Sequence, residues 1–142
     1  MREPDPRVPP EVEQYLIDVH SRAGEMGGAV SGHGRAGARG GARAAGRLRT
    51  IVEDRAVPSA KTGAVAQAQL TESFPAAERL PAHADVLRLG IPVGLMGLQM
   101  VIVDITPAGA GSLLVRAFGK EGLISRKPTA RTADQVAQLL AS

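Results

Sequence analysis

The pattern of apolar and polar positions divides the chain into a helical first part and a strand-forming second part. Residues 11–27 predict an amphipathic helix, because apolar side chains recur there at the spacing of one helical face. These side chains are Val12, Tyr15, Leu16 and Val19. Glycines at positions 27 and 28 mark the expected end of the helix. Residues 1–10 before it are rich in proline and predict a disordered lead-in.

Short helical segments are expected across residues 42–85. A helix at about 42–55 is predicted from three apolar positions that share a helical face: Leu48, Ile51 and Val52. Residues 59–74 are rich in alanine and glutamine and predict a helix in their second half, ending before Pro75.

Residues 98–118 predict a β-hairpin. Two apolar runs, 98–106 and 112–118, flank the sequence PAGAG, and two such runs around a Pro/Gly turn are typical of paired antiparallel strands. Residues 122–125 would add a third strand after a second turn.

The last residues predict a helix that packs on this sheet. Its apolar face comprises Val136, Leu139 and Leu140, and Thr132 is the expected N-cap. The strands and the terminal helix together form the unit expected over residues 86–142.

Residues 28–41 predict a flexible basic tract. Six glycines and five arginines occur between positions 31 and 50 without an acidic residue. Each glycine costs about 1 kcal/mol relative to alanine in a helix interior, so a continuous helix is not expected. Four of the arginines recur at every fourth position and would share one helical face if a polyanion induced a helix. They are Arg35, Arg39, Arg43 and Arg47.

These patterns predict an α+β fold, with N-terminal helices and a flexible Gly/Arg tract, then a small antiparallel β-sheet closed by a C-terminal helix. The length of 142 residues fits one ordinary domain. The apolar run at 90–103 is more apolar than one face of a small sheet can cover. We therefore expect self-association, most simply as a dimer.

Composition narrows the classes of function. The chain contains no cysteine, which excludes disulfides, thiolate catalysis and cysteine zinc sites. His20, His33 and His83 lack the spacing of metal ligands, so we expect no metal and no cofactor. The run at 90–103 is shorter than the roughly 20 residues that span a bilayer, and the N-terminus lacks the apolar core of a signal peptide. We expect a cytoplasmic protein without a transmembrane segment.

The positive charge suggests a polyanion as a partner. The net charge is +3 and most of the basic residues are arginine, whose guanidinium group suits phosphates. No aromatic side chain accompanies the tract, so nucleic-acid binding would be independent of sequence. The candidate contacts are Arg35, Arg39, Arg43, Arg47, Arg49, Lys120, Arg126, Lys127 and Arg131.

Asp104 and Arg116 are the candidate residues of a pocket. Asp104 interrupts the apolar run VIVDIT. A carboxylate among β-branched residues could have a raised pKa and act as a general base. By strand alternation it could instead face solvent, opposite Val103 and Ile105. The sequence leaves both interpretations open.

No set of residues forms a recognisable catalytic motif, so the leading hypothesis is a non-catalytic binding or assembly module that could contact a polyanion through its Arg-rich tract. One alternative is a small enzyme or cyclase-like domain with an apolar pocket lined by residues 86–105. Another is an interaction subunit that completes a sheet with a protein partner, for which an exposed strand edge would be the structural sign.

Overall fold

The structure is a computed structural model that describes residues 5–31, 48–94, 99–121 and 127–142, without the side chains of residues 22–31. In these ranges the chain forms three helices and five strands. In chain order they are α1 (Pro10–Ser31), β1 (Arg49–Pro58), α2 (Gly63–Ser73), β2 (Glu78–Leu80), β3 (Leu87–Val93), β4 (Gln99–Pro107), β5 (Ser112–Glu121) and α3 (Pro128–Ala141). No helix in the described ranges is long and apolar enough to cross a lipid bilayer.

The strands form one open antiparallel sheet in the order β1-β5-β4-β3-β2. Strand β1 pairs with β5 along its whole length, from Arg49 opposite Glu121 to Pro58 opposite Ser112. At the opposite edge, β2 contributes only three residues, which pair with β3. The sheet therefore has one long edge strand and one short one.

Both faces of the sheet are covered by helices. Helices α2 and α3 pack on one face and form the larger core cluster with it, through residues such as Leu70, Val115 and Val136. Helix α1 covers the other face, where Leu16 packs with Phe118. Each of these buried side chains contributes about 1.5–3 kcal/mol relative to full exposure.

The predicted α+β class is confirmed, and so is the packing of the terminal helix on the sheet. The predicted hairpin is β4 and β5, whose connecting turn uses positive φ angles at Gly109 and Gly111. The helix predicted late in residues 59–74 is α2. The hydroxyl of Thr62 accepts a hydrogen bond from the Val65 N–H at 3.3 Å and so caps the N-terminus of α2.

The helix predicted at about 42–55 is wrong where the structure describes that segment, because Arg49–Pro58 form β1. Alternate side chains of β1 lie on opposite faces, so that Val52 packs under α1 and Val57 packs in the larger core cluster. The adjacent apolar residues Ile51 and Val52, which were assigned to one helical face, lie on opposite faces of the strand. Pairing with β5 favours the strand because it places these side chains against the core clusters on both faces, while alternate residues of β1 hydrogen-bond to β5. Residues 78–80 are likewise a strand and not a helical segment.

Three predicted boundaries also differ. Helix α1 continues past the glycines at 27 and 28 to Ser31. Helix α3 begins at Pro128 after Lys127, which has a left-handed φ of 52°, so Thr132 is buried inside the helix and does not cap it. In the expected disordered lead-in, Val8 packs against the cluster under α1. The basic tract beyond Ser31 and the predicted strand at 122–125 lie outside the described residues.

The apolar run that motivated the expected dimer is used within the chain wherever the structure describes it. Ile91 and Val101 are buried in the larger core cluster, whereas Met100 and Ile102 pack under α1 on the other face. The expectation of a dimer assumed that only one face of the sheet would be covered. This assumption is wrong, because helices cover both faces. Self-association stays a prediction and requires a different structural basis.

Candidate functional site: a charged row and an open sheet edge

A row of alternating charges crosses the sheet on the face that α1 covers. The register places Arg88 on β3 beside Asp104 on β4, and Asp104 beside Arg116 on β5. Arg116 in turn lies beside Asp54 on β1. Opposite charges at directly opposed positions of neighbouring strands attract each other. Four strands therefore carry a continuous row of alternating sign.

The pair at one end of the row, Arg88 and Asp104, is buried. Arg88 Nε and Nη2 donate to the two carboxylate oxygens of Asp104 at 2.7 and 2.9 Å, and the residues are only 5% and 8% exposed. The hydrogen bonds to Asp104 raise the pKa of Arg88 further above its ordinary value. Arg88 Nη1 also donates to the carbonyl of Pro81 at 3.3 Å. Each of the three guanidinium nitrogens thus has a hydrogen-bond partner despite the burial of the group.

The pair at the other end, Arg116 and Asp54, is more exposed. Arg116 Nε and Nη2 donate to the two oxygens of Asp54 at 2.7 and 3.0 Å, with about a third of each side chain exposed. These hydrogen bonds hold the pKa of the Asp54 carboxyl below its ordinary value. Exposed pairs contribute little stability, about 0–1 kcal/mol.

The segment before α1 contacts one end of the row, and the first turn of α1 contacts the other end. Arg7 lies 3.5 Å from the Asp54 carboxylate and donates to Asp5 at 2.8 Å. At the other end, Glu11 accepts from Arg88 at 3.4 Å. The hydrogen bonds from Arg7 lower the pKa of Asp5 to about 2. Charges of the row thus hold both the segment before α1 and the first turn of α1 on the sheet.

The two candidate pocket residues, Asp104 and Arg116, are neighbours in this row. Asp104 lies opposite Val103 and Ile105, as strand alternation predicts, but the face it occupies is buried and not solvated. Both of its oxygens are occupied by the guanidinium of Arg88. This geometry is that of a structural ion pair.

A second, partly buried contact anchors α1 to the sheet. The carboxylate of Glu13 accepts hydrogen bonds from Lys120 Nζ and Thr50 Oγ1, and Lys120 also donates to the carbonyl of Leu48 at 3.1 Å. Lys120 was a candidate polyanion contact. Its side chain is only 2% exposed, so in this structure it binds the helix.

His20 on α1 lies near this anchor, and we expect it to make stability depend on pH. Burial lowers the pKa of His20 below its ordinary value of 6.5, and the Lys120 ammonium lowers it further. In the unfolded chain the imidazole is protonated first as pH falls, so stability is present above about pH 6.5 and decreases as pH falls toward the folded-state pKa. His20→Gln should flatten the decrease between about pH 7.5 and 5.5 in urea unfolding, whereas His83→Gln at an exposed site should not. Equal slopes in wild type and His20→Gln would contradict the assignment.

A cavity of about 410 Å³ lies on the other face, between the start of α2 and the ends of the strands. Its floor contains Leu87, Ile105 and Leu113, so it includes part of the pocket predicted from residues 86–105. Two cationic side chains line it, and each donates a hydrogen bond to a glutamine of α2. Lys61 donates to Gln69 at 2.8 Å, and Arg79 donates to Gln67 at 3.0 Å.

Strand β1 presents an open backbone edge within the described residues. Ser59 N–H donates to the Gly111 carbonyl at 3.0 Å, and antiparallel pairs alternate between bonded and non-bonded positions. The register is unbroken from Ser59 back to Arg49, so every second residue occupies the same kind of position as Ser59. The odd-numbered residues of β1 therefore hydrogen-bond to β5. The backbone groups of the even-numbered residues point outward: Thr50, Val52, Asp54 and Ala56. Pro58, which has no N–H, also falls at an outward position, as expected for an edge.

A groove of about 570 Å³ runs beside this edge, between the end of β1 and the exposed side of α3. Ala56, Val57 and Pro58 line one wall, and the other contains Asp134 and Gln138. Asp134 is held by Arg55 at 2.7 Å. A partner that pairs with β1 would therefore contact α3 as well.

The structure describes only part of the basic candidate set. Arg35, Arg39, Arg43, Arg47 and Arg126 lie outside the described residues. Arg49 is exposed at the start of β1, and Lys127 and Arg131 are exposed at the start of α3. The last two have polar or charged contacts of their own.

Sequence reasoning missed the partners of the candidate residues. Arg88 and Asp54 complete the ion pairs. Asp54 lies in a segment that was predicted as helical, and Arg88 precedes the first strand that was predicted in residues 86–142. The alternation of RTIVEDRAV was the available signal for β1. Without a strand there, no register could place Asp54 beside Arg116.

Among the described residues, no group of three or more histidine, aspartate or glutamate side chains is arranged to hold a metal ion. No protein-family model matches the chain. Neither the curated proteins nor the solved structures contain a significant match.

Proposed function

We propose that this protein is a non-catalytic assembly module that binds a protein partner by extending its sheet at β1. The observation that carries the proposal is the outward backbone of Thr50, Val52, Asp54 and Ala56 on a ten-residue edge strand. Unpaired strand edges are templates for pairing with another chain. In such complexes, main-chain hydrogen bonds supply affinity and alternate side chains supply specificity.

Two features support pairing at this edge and not at the other. Strand β2 is only three residues long and pairs with residues 88–90 of β3. Beyond that pairing, β3 contains Pro92, which has no N–H to offer a partner strand. Strand β1 is long and has a groove beside it. The charged row supports a binding module over an enzyme, since Asp104 and Arg116 are engaged in ion pairs.

Amide hydrogen exchange tests whether the edge is available. In a sample with the mass of a monomer, we expect the outward amides of Val52 and Ala56 to exchange fast, and the β5-bonded amides of Glu53 and Arg55 to exchange slowly. The inward amides serve as the internal control, because they lie on the same strand. Protection of the outward amides in a monomer would mean that the chain covers its own edge, and the proposal would fail.

The basic tract supports polyanion binding as a second candidate function, because Arg49 extends the arginine series to an exposed position at the start of β1. Replacing Arg35, Arg39, Arg43 and Arg47 by glutamine should weaken binding to a random DNA duplex and reduce the salt dependence, by a log–log slope of about 0.9 for each phosphate that is no longer neutralised. Fluorescence anisotropy at several salt concentrations measures both. Arg79→Gln, outside the tract, should change little. Absence of wild-type binding to DNA, RNA and anionic vesicles at about 50 mM salt would exclude this function.

A further inference from the structure

We propose that the partner at the β1 edge is a second copy of this chain, joined antiparallel about a two-fold axis that passes beside Asp54. This inference rests on the proposed function, because it names the occupant of the same edge. The two sheets would then form one continuous sheet of ten strands, with the two copies of β1 at its centre.

The charges of β1 select this register. Around a two-fold axis, each residue faces the one equally far on the other side of the centre. With the centre at Asp54, Glu53 of each copy faces Arg55 of the other, giving two pairs of opposite charge. A centre at Glu53 would place Glu53 opposite its own copy, and a centre at Arg55 would place Arg55 opposite its own copy. A centre at Val52 would oppose Arg49 to Arg55.

The geometry of the strand agrees with the same centre. Outward residues of one copy must face outward residues of the other to form hydrogen bonds, and this register pairs Asp54 with Asp54, and Val52 with Ala56. Glu53 and Arg55 then occupy a non-hydrogen-bonded pair, in which side chains approach more closely. Arg55 now donates to Glu53 of its own chain at 3.1 Å and to the outward carbonyl of Asp54 at 2.9 Å. A carbonyl oxygen has two lone pairs, so this oxygen can also accept the N–H of Asp54 in the second copy. In the dimer, Arg55 of each copy would bind Glu53 of the other copy in place of Glu53 of its own chain.

The facing Asp54 carboxylates do not oppose the dimer, because each is already neutralised. Arg116 binds each one through two hydrogen bonds, and Arg7 lies 3.5 Å away. Two carboxylates at the axis are thus surrounded by four guanidinium groups. Their backbone position is also the wider, hydrogen-bonded one, with about 5.5 Å between Cα atoms.

The groove beside β1 receives an apolar side chain in this register. Ile51 of each copy faces Val57 of the other, and Val57 lines the groove of about 570 Å³ under α3. Ile51 is half-buried in the isolated chain and lies on the same sheet face as Val57. Because the contact is two-fold symmetric, both grooves are filled at once.

Charge reversal tests the register. We expect wild type to show a mass between monomer and dimer that rises with concentration in light scattering. Glu53→Arg or Arg55→Glu alone should weaken dimerisation at least about tenfold, because two attractive pairs become repulsive. The double variant Glu53→Arg/Arg55→Glu should restore it, because opposite charges face each other again. Glu72→Arg, an exposed site on α2 with the same change of charge, is the control.

Ala56→Pro provides an independent test that keeps the fold. Position 56 points its N–H outward, so proline removes no bond to β5 but removes two from the dimer, one donated by each copy. Thermal unfolding of each variant confirms that it is folded.

Each outcome separates the inference from the proposed function. A monomer at every concentration, with fast outward amides, would overturn the second copy as partner and leave the edge available to a different protein. A dimer that survives Ala56→Pro and both charge reversals would show that another surface is used and overturn the inference. Protected outward amides in a monomer would overturn the proposed function itself.

Discussion

Replacing Asp104 by alanine is expected to destabilise the protein by about 3–5 kcal/mol, because it leaves the guanidinium of Arg88 buried without its counter-charge. Arg88 is 5% exposed and gives two of its donors to Asp104. Its remaining partners, the Pro81 carbonyl and Glu11, are more distant, at 3.3 and 3.4 Å. Removing one member of a buried pair costs far more than the pair contributes relative to apolar residues.

Two variants make this prediction specific. Asp54→Ala breaks the equivalent bidentate pair with Arg116 at the exposed end of the row, and should cost only about 0–1 kcal/mol. Arg88→Met/Asp104→Leu removes both charges and should recover most of the stability that Asp104→Ala removes. Urea unfolding monitored by circular dichroism gives all three values. A decrease below about 1 kcal/mol in Asp104→Ala would mean that Arg88 finds water or another acceptor.

The parts of the fold that were predictable from the sequence are those determined by neighbours in the chain. Helix α1 shows a helical repeat of apolar residues, and β4 and β5 flank a Pro/Gly turn that dictates their pairing. Strand β1 was not predictable in the same way. It pairs with β5, about sixty residues further along the chain, and a short apolar pattern does not distinguish a helix from an edge strand when the partner is unknown.

The candidate site depends on the same non-local information. Asp104 was identified because it is a charge in an apolar strand, and Arg116 was named as a second residue of the same pocket. The register places Arg88 and Asp54 beside them, so the structure shows these two residues as members of ion pairs and not as free charges of a pocket. The open edge likewise follows from β1 being the last strand in the order, which no local pattern specifies. The arginine tract is the opposite case, since its sequence is distinctive and its role stays a prediction.

Gly119→Ala is expected to destabilise the protein by about 1–3 kcal/mol, as overpacking of a core usually does. Helix α3 approaches β5 closely at this position, and a Cβ on Gly119 would lie only 2.2 Å from Thr129 Oγ1 and 3.4 Å from Thr129 Cβ. Thr129 is fully buried, so relief requires either rotation of its side chain or a shift of the helix. The Thr129 hydroxyl has no hydrogen-bond partner among the described residues, and no such bond opposes that rotation.

A double-mutant cycle with Thr129→Ala isolates this contact. Thr129→Ala removes the atoms that a Cβ on Gly119 would meet, so the two substitutions together should cost less than the sum of the single changes, by about 0.5–3 kcal/mol. Gly63→Ala is the matched control, because nothing lies within 4 Å of its added Cβ at the start of α2. There the stability should stay equal or rise by about 0.4–1 kcal/mol, since alanine restricts the unfolded chain. Strictly additive effects at Gly119 and Thr129 would mean that α3 does not rest on β5 at this glycine.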